Sequence, residues 1–263
     1  MVKLVVSDLD GTLVPEGAGA LPRELIETLN RVQQGGIPFA VSSGRQHASL
    51  REVFRPLETE PYILSLNGGC ICKGDRCLYT DPMPQEAALA IAAEAAQLPW
   101  CDVILETREQ CWVYRSANGV AEGLDARRYQ YARIDRLDQV EGEVIKVACY
   151  LTAELEDFLA RNQRRWGSVV KVARSGECWV DFNTSDKGKG LLALCRLLGI
   201  DPAETVAFGD NLNDRAMLAA AGLGWAAAQG NPELRQEFPV CADPRLEMEK
   251  ILRENGKNPC NPE

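Results

Sequence analysis

The stretch VKLVVSDLDGTLV, residues 2–14, runs from an aliphatic segment into two closely spaced acids, Asp8 and Asp10. A continuous aliphatic run is typical of a strand that is buried on both faces of a parallel sheet. Two carboxylates this close repel each other, and where they share a site the pKa of one of them rises. The pair therefore calls for solvent, a metal ion or a catalytic use for one protonated acid.

The chain continues with an alternation of helix and strand patterns. Residues 21–36 carry apolar side chains on one helical stripe and end in two glycines, and residues 47–57 are also predicted to be helical. Residues 37–45 (IPFAVSSGR) and 61–69 (PYILSLNGG) are predicted to be buried strands. A strand–helix–strand order of this kind predicts a parallel sheet with right-handed crossovers.

The plan changes near residues 79–84 (YTDPMP), whose two prolines indicate a linker. An alanine-rich helix, shorter strands and a hairpin with its turn at SGE (175–177) follow, and the first plan then returns. We therefore predict an α/β fold with a Rossmann-like parallel-sheet core, residues 1–82 and 185–263. Residues 83–184 are predicted to form a smaller α+β domain inserted into that core.

Composition and charge exclude several classes of protein. The net charge of −9 and the pI near 4.9 argue against a nucleic-acid partner, because phosphate backbones are bound by clustered Lys and Arg. No apolar stretch is long enough for a membrane span or a signal peptide, so we expect a cytoplasmic protein. Ten cysteines are present, among them Cys70, Cys72 and Cys77, but no C-x-x-C pair occurs. Reduced and mostly buried thiols are therefore expected rather than a zinc site.

Short polar motifs follow the predicted strands of the outer domain: SDLDGT, SSGR, NGG and GDNLND. Ligands of open parallel sheets bind beyond the carboxyl ends of the strands, so these motifs are expected to face one crevice. It would collect Asp8, Asp10, Asp210 and Asp214, and Mg²⁺ is the ion that prefers such oxygen ligands together with a substrate phosphate. The residues expected to complete a phosphate site are Thr12, Ser42, Ser43 and Lys187.

These motifs resemble the four motifs of the haloacid dehalogenase superfamily: DLDGTL, SSGR, the lysine of SDKGKG, and GDNLND. The inserted middle domain and the wording FGDNLNDRAML are most similar to the Cof-like sugar-phosphate phosphatases of that superfamily, in which a cap domain is inserted at this place. The resemblance covers nearly the whole chain. The segment GWAAAQ departs from the family pattern, with Trp225 and Gln229 at positions where the family has other residues.

The resemblance implies a role for each of the two opening acids. Asp8 would be the nucleophile that becomes an aspartyl phosphate. Asp10 would protonate the leaving oxygen and then activate water. This division agrees with general chemistry, since a carboxylate nucleophile and a carboxylic acid need different protonation states.

The resemblance also implies the binding residues, although the residues alone leave other interpretations open. Phosphate binding would fall to Ser43, Gly44, Lys187 and Asn213, and the Mg²⁺ site to Asp8, Asp10 (through its backbone carbonyl), Asp210 and Asp214. Ser42 and Ser43 could instead cap the following helix, Asp214 could serve as a helix N-terminal charge, and Asn67 of NGG could be a turn residue.

The function expected from these features is magnesium-dependent hydrolysis of a small phosphorylated metabolite, a sugar phosphate in particular, through an aspartyl-phosphate intermediate. One alternative is a phosphomutase of the same fold, which resembles phosphomannomutases. A second is a non-enzymatic signalling module that accepts phosphate, similar to receiver domains, although these are far shorter and lack an inserted cap. The sequence indicates neither the individual substrate nor an oligomeric state.

Overall fold

The structure, a computed structural model, describes residues 1–126 and 129–256. Arg127, Arg128 and residues 257–263, the end of the predicted core segment, lie outside the described residues. The chain divides into two compact units: unit 1 holds residues 1–79 and the chain from Asp186 onward, and unit 2 is Thr80–Ser185. None of the helices within the described ranges has the length and apolar character that crossing a lipid bilayer requires.

The described residues form strands and helices in both units. The strands are β1 (Leu4–Ser7), β2 (Phe39–Ser42), β3 (Tyr62–Ser65), β4 (Cys70–Lys73), β5 (Arg76–Thr80), β6 (Cys101–Glu106), β7 (Cys111–Arg115), β8 (Ala132–Arg133), β9 (Lys146–Leu151), β10 (Lys171–Gly176), β11 (Trp179–Asn183), β12 (Thr205–Gly209), β13 (Leu223–Ala227) and β14 (Val240–Cys241). The α-helices are α1 (Arg23–Gln34), α2 (His47–Phe54), α3 (Gln85–Ala95), α4 (Val120–Ala126), α5 (Leu155–Trp166), α6 (Lys187–Leu198), α7 (Arg215–Ala220), α8 (Pro232–Glu237) and α9 (Pro244–Gly256).

Unit 1 is built on an eight-stranded sheet in the order β14-β13-β12-β1-β2-β3-β4-β5. Strand β1 pairs in parallel with both β12 and β2, and β13 and β3 extend the parallel region on either side. Strand β4 pairs antiparallel with β3. The predicted α/β fold with a parallel-sheet core is thereby confirmed, with the opening strand in the interior of the sheet.

The opening strand carries three consecutive aliphatic residues, Leu4, Val5 and Val6, because both faces of its sheet are covered. Val5 belongs to one buried cluster together with Leu29 of α1. Val6 belongs to a second cluster together with Leu194 of α6 and Met217 of α7. Adjacent residues of a strand point to opposite faces, so a strand between two helical layers needs apolar residues at consecutive positions.

Unit 2 is built on a six-stranded sheet in the order β10-β11-β9-β6-β7-β8, antiparallel except for the β7–β8 pair. Ile91 of α3 and Phe158 of α5 are buried together with Val147 and Phe182 of the sheet. The predicted hairpin is present as β10 and β11. The prediction that its turn is SGE (175–177) is wrong, because Gly176 still pairs with Trp179 across a register shift. The turn therefore begins after Gly176.

The hairpin β4–β5 at one edge of the sheet of unit 1 was not predicted. Its strands are short and separated only by Gly74 and Asp75, and Gly74 has a φ of 57°, which favours glycine. Polar and apolar residues do not alternate regularly there, since β4 has the sequence CICK and β5 the sequence RCLYT. A period-two pattern is therefore weak in this segment, and the strands are defined by their pairing, β4 with β3 and β5 with β4.

Candidate active site

Asp8 follows the central strand β1 directly and is held in place by its backbone. Its amide N–H donates to the carbonyl of Phe208 on β12 at 2.9 Å, which continues the parallel ladder past the end of β1. The Ser7 hydroxyl donates to the Asp8 carbonyl at 2.8 Å. The Asp8 side chain is buried, and this burial, followed by the charge of Asp214, raises the pKa of Asp8 well above its ordinary value.

Lys187 is the first residue of helix α6, and its ammonium lies between two acids. Its Nζ is 2.8 Å from Asp8 Oδ1 and 2.6 Å from Asp214 Oδ1, and the residue is only 1% exposed. Burial alone would lower the pKa of Lys187, but the carboxylates of Asp214 and Asp8 outweigh it and hold the pKa above its ordinary value. Lys187 is therefore a buried, charged ammonium beside Asp8.

Asp214 uses both of its carboxylate oxygens within the protein. One oxygen accepts the hydrogen bond from Lys187, and the other accepts the backbone N–H groups of Asp210 and Asn211 at 2.9 and 3.0 Å. Its exposed fraction is 0%. The carboxylate thus holds the loop after β12 in shape and positions Lys187 at the same time.

Asp210 follows strand β12 and approaches the first loop. Its Oδ1 accepts the Thr12 hydroxyl at 2.8 Å. Burial and then the charge of Asp214 raise the pKa of Asp210 above its ordinary value. Gly11, with a φ of 80°, lies so close that a Cβ there would come within 2.4 Å of the Asp210 carboxylate. The close approach of the two loops explains why glycine stands at position 11.

Carboxylate oxygens of Asp8, Asp210 and Asp214 all lie within 4.8 Å of one another. These are hard oxygen donors, the kind that Mg²⁺ prefers, so the donor set fits that ion. Burial and then the charge of Asp214 raise the pKa of both Asp8 and Asp210, and a bound cation would favour their charged forms. Because both oxygens of Asp214 already accept hydrogen bonds, Asp8 and Asp210 are the carboxylates better placed to bind a cation.

The Asp10 carboxylate does not add its charge to this cluster, which corrects the expectation that four acids meet there. Arg45 binds it with two nitrogens, Nε to Oδ2 at 2.8 Å and a terminal nitrogen to Oδ1, and the Gly17 N–H donates to Oδ1 at 3.0 Å. Both side chains of the ion pair are largely buried. A bidentate guanidinium matches a carboxylate in shape and charge, so the acid turns toward Arg45. The backbone carbonyl of Asp10, which is the atom of this residue expected to bind the metal ion, takes no part in the ion pair with Arg45.

The loop after β2 carries two of the four predicted phosphate-binding residues, Ser43 and Gly44. The buried Ser43 accepts the Arg45 N–H on its hydroxyl at 3.2 Å, and its own N–H donates to Leu64 at 2.9 Å. A Cβ on Gly44 would lie 3.3 Å from the Asn67 amide oxygen, so the chain passes close to that side chain. Within the described residues, the buried Ser42 hydroxyl has no hydrogen-bond partner. Asn213 is exposed in the short 3-10 helix Leu212–Asp214.

Two contacts of this site were missed from the sequence. Arg45 was quoted only as the end of SSGR, yet it is the partner of Asp10. Gln229, noted as a departure from the family pattern, donates its amide to the Gly11 carbonyl at 3.0 Å. An arginine directly after a Ser-Gly strand end was the available signal for the first contact. No local signal pointed to the second.

Comparisons with known proteins identify the family of this chain. The family of haloacid dehalogenase-like hydrolases matches residues 5–243. The chain is 28% identical over 244 residues to phosphoglycolate phosphatase of Methanopyrus kandleri, covering 92% of this chain and 91% of that protein. It is 28% identical over 256 residues to HMP-PP phosphatase of Cronobacter sakazakii, covering 91% and 89%.

The fold is shared with solved structures as well. A haloacid dehalogenase-like hydrolase from Bacteroides thetaiotaomicron superposes with a TM-score of 0.80 at 23% identity, covering 98% of this chain and 99% of that one. The curated relatives are phosphatases, which confirms the expectation of an enzyme of this kind. With its family match over most of its length, the chain belongs to the haloacid dehalogenase-like hydrolases.

Proposed function

We propose that this protein is a magnesium-dependent phosphatase that hydrolyses small phosphomonoesters through a phosphorylated Asp8. The observation that carries the proposal is the contact of the buried Asp8 carboxylate with the Lys187 ammonium at 2.8 Å, beside Asp210. A carboxylate attacks a phosphate only when nearby positive charge offsets their repulsion. Bound Mg²⁺ would be held by Asp8, Asp210 and the Asp10 carbonyl, with Asp214 behind them, and would neutralise charge on the phosphoryl oxygens.

In the first step a carboxylate oxygen of Asp8 attacks phosphorus, and the bond from phosphorus to the leaving oxygen breaks. The leaving oxygen takes a proton from Asp10. In the second step Asp10 takes a proton from water as the water oxygen attacks phosphorus, and the bond to Asp8 breaks to release inorganic phosphate. Phosphoryl transfer depends mainly on such positioning and charge neutralisation.

Lys187 serves this reaction as a fixed positive charge. Asp186 caps the N-terminus of its helix, because the Asp186 side chain accepts the Lys189 N–H at 2.9 Å, so the position of the first turn is defined. Asp214 holds the ammonium from the other side at 2.6 Å. We therefore assign Lys187 to the phosphoryl oxygens and Asp214 to positioning of that lysine.

Asp10 acts as acid and base only if Arg45 changes its contact. A guanidinium that binds both carboxylate oxygens occupies the atoms that would carry the proton. The proposed cycle therefore includes the release of Asp10 from Arg45 before the leaving oxygen is protonated.

Ser43, Gly44 and Asn213 are proposed to bind the phosphoryl group, and unit 2 to act as the cap that selects the substrate. The relatives differ in the phosphate ester that their names specify, phosphoglycolate in one and HMP-PP in another, although the chain matches both at similar identity. We therefore propose a small phosphorylated metabolite as substrate, with sugar phosphates as the first class to test.

The test measures inorganic phosphate released from a panel of sugar phosphates and other small phosphomonoesters, with Mg²⁺ and with excess chelator. We expect release that requires the ion and that is abolished in Asp8→Asn. Asp75→Asn, which changes an exposed acid paired with Arg51, is the matched control and should retain activity. Isomerised phosphoester without free phosphate would indicate a mutase instead, and full activity in chelator would refute the metal assignment.

A further inference from the structure

Three cysteine thiols converge on the edge hairpin β4–β5 of unit 1. Cys70 and Cys72 lie on β4 and Cys77 lies on β5, and their Sγ atoms are all within 4.8 Å of one another. The Sγ atoms of Cys70 and Cys72 are 3.6 Å apart. The Cys70 thiol also interacts with the Cys77 thiol and the Ser65 hydroxyl. Apart from the acidic cluster at Asp8, no other group of metal-binding side chains this compact occurs within residues 1–126 and 129–256.

The hairpin itself produces this arrangement. Residues two apart on a strand point to the same face, so Cys70 and Cys72 project together, and the turn at Gly74 and Asp75 brings β5 back beside them. Cys70 and Cys72 are buried, whereas Cys77 is half-buried. None of the nine cysteines in the described ranges forms a disulfide.

We propose that Cys70, Cys72 and Cys77 form a site for a thiophilic divalent metal ion, of the class of Zn²⁺ or Cd²⁺, bound through three thiolates. An ion with metal–sulfur bonds of roughly 2.3 Å holds its sulfur ligands roughly 3.8–4.0 Å apart. The observed spacing of the three sulfurs fits this geometry with side-chain adjustments alone. Cys77 is half-buried, and a water molecule is the fourth ligand that we propose.

Binding at this site is acid–base chemistry without oxidation. Each thiol loses its proton to solvent as its sulfur forms a bond to the metal, so three bound thiolates release three protons. The neighbouring Cys72 thiol and burial raise the pKa of Cys70, so the ion has to displace the proton of Cys70 when it binds.

The thiol site is separate from the acidic site in place and in chemistry. Strand β4 is three strands away from β1 in the sheet, which corresponds to roughly 14 Å at the usual strand spacing. Thiolates select soft ions, whereas the carboxylates of Asp8 and Asp210 select hard ones. We therefore expect the thiol site to stabilise the edge hairpin rather than to take part in hydrolysis.

The experiment titrates Cd²⁺ into the full-length protein, kept reduced with a phosphine, and follows the ultraviolet absorption of cadmium–thiolate bonds. We expect saturation at one ion per chain and at least about tenfold weaker binding in Cys77→Ser. Loss of a residue that only hydrogen-bonds to a metal ligand already lowers metal affinity about ten- to a hundredfold, and loss of a ligand itself should cost at least as much. Cys178→Ser, which changes a half-buried cysteine of unit 2, is the matched control and should leave the absorption unchanged. Asp210→Asn should also leave it unchanged.

Alkylation of the wild-type protein provides a readout that does not depend on the folding of a variant. With one equivalent of Cd²⁺, peptide mapping should show Cys77 protected from alkylation while Cys178 still reacts. Thermal denaturation without metal should give Cys77→Ser the same melting temperature as the wild type. Absence of thiolate absorption in the wild type, or absorption that persists unchanged in Cys77→Ser, would overturn the proposal.

Discussion

Replacement of Lys187 by methionine tests the electrostatic centre of the proposed site directly. Lys187 is the ammonium that contacts both Asp8 and Asp214, at 2.8 and 2.6 Å. Methionine keeps most of the side-chain volume, so the variant removes the charge without leaving a large cavity. Two buried carboxylates then lose their positive partner.

The structure sets the expected size of the effect. Breaking a buried ion pair by removing one partner costs about 3–5 kcal/mol, because the remaining charge is left in a poorly solvated place. At about 2–4 °C per kcal/mol for a unit of this size, the melting temperature should fall by roughly 6–20 °C. The cost should shrink at lower pH, where one of the two stranded carboxyl groups takes up a proton.

A second variant separates the charge effect from loss of packing. In Lys187→Met/Asp214→Asn both partners are neutral, and the amide oxygen introduced by the second substitution can still accept a backbone N–H, so about half or more of the lost stability should return. Lys3→Met is the matched control, since Lys3 is 53% exposed and its ion pair with Glu204 should contribute at most about 1 kcal/mol.

The assay is urea denaturation followed by circular dichroism, with chelator present so that no divalent ion replaces the missing charge. Phosphate release should be lost in both the single and the double variant. A Lys187→Met protein within about 1 kcal/mol of the wild type, or a double variant no more stable than the single one, would refute the proposed role of the buried ammonium.

Three further predictions concern the acids and the arginine of the site. In chelator, the contribution of Asp8 to the free energy of unfolding should fall as pH rises from the ordinary value of 3.8 through its raised pKa, because the folded state binds the proton more tightly. Urea denaturation at a series of pH values should show this decrease, and both Mg²⁺ and Asp8→Asn should reduce it. A pH dependence of the free energy of unfolding that Asp8→Asn leaves unchanged would contradict this prediction. Asp10→Ala should release about one equivalent of p-nitrophenol from p-nitrophenyl phosphate in a burst and then stall, with phosphate retained on Asp8. Sugar phosphates should give no burst, because their leaving oxygen needs a general acid, whose contribution to the rate is roughly 10²–10⁴-fold. Equal losses of activity with both substrates and no trapped phosphoenzyme would argue against the proton roles of Asp10. Arg45→Gln should lower kcat on sugar phosphates about ten- to a hundredfold, because Asp10 is then misplaced. In the Asp10→Ala background the same substitution should cause no further loss of kcat. Additive losses of kcat in steady-state assays would show that Arg45 acts elsewhere.

The sequence by itself determined the class of fold and the family. The aliphatic run of residues 4–6, the helical stripe that follows and the polar motifs after the strands are local patterns, and the strands and the helix appear in the structure where they were expected. Strand burial on both faces requires consecutive apolar residues, so a short segment is enough to reveal it. The positions of Asp8 and Asp210 at strand ends followed from the same reasoning.

Only the tertiary structure decided how the charges pair. The sequence suggested that Asp10 would share the acidic cluster, but its carboxylate binds Arg45, 35 residues away along the chain. It suggested Asp214 as a metal ligand or a helix charge, whereas the structure shows its two oxygens divided between Lys187 and the loop amides. Such choices depend on which of several nearby partners each carboxylate reaches.

The thiol cluster shows the same limit from another side. Cys70, Cys72 and Cys77 have no spacing that indicates a metal site, and the hairpin that joins them lacks a clear alternating pattern. Their sulfurs meet because β4 pairs with β3 and β5 then folds back beside it. The pairing of strands and the pairing of charges are contacts between segments that are distant in the chain. The composition and the hydrophobic periodicity of the sequence therefore indicate the helices and strands, whereas the tertiary packing determines which side chains meet.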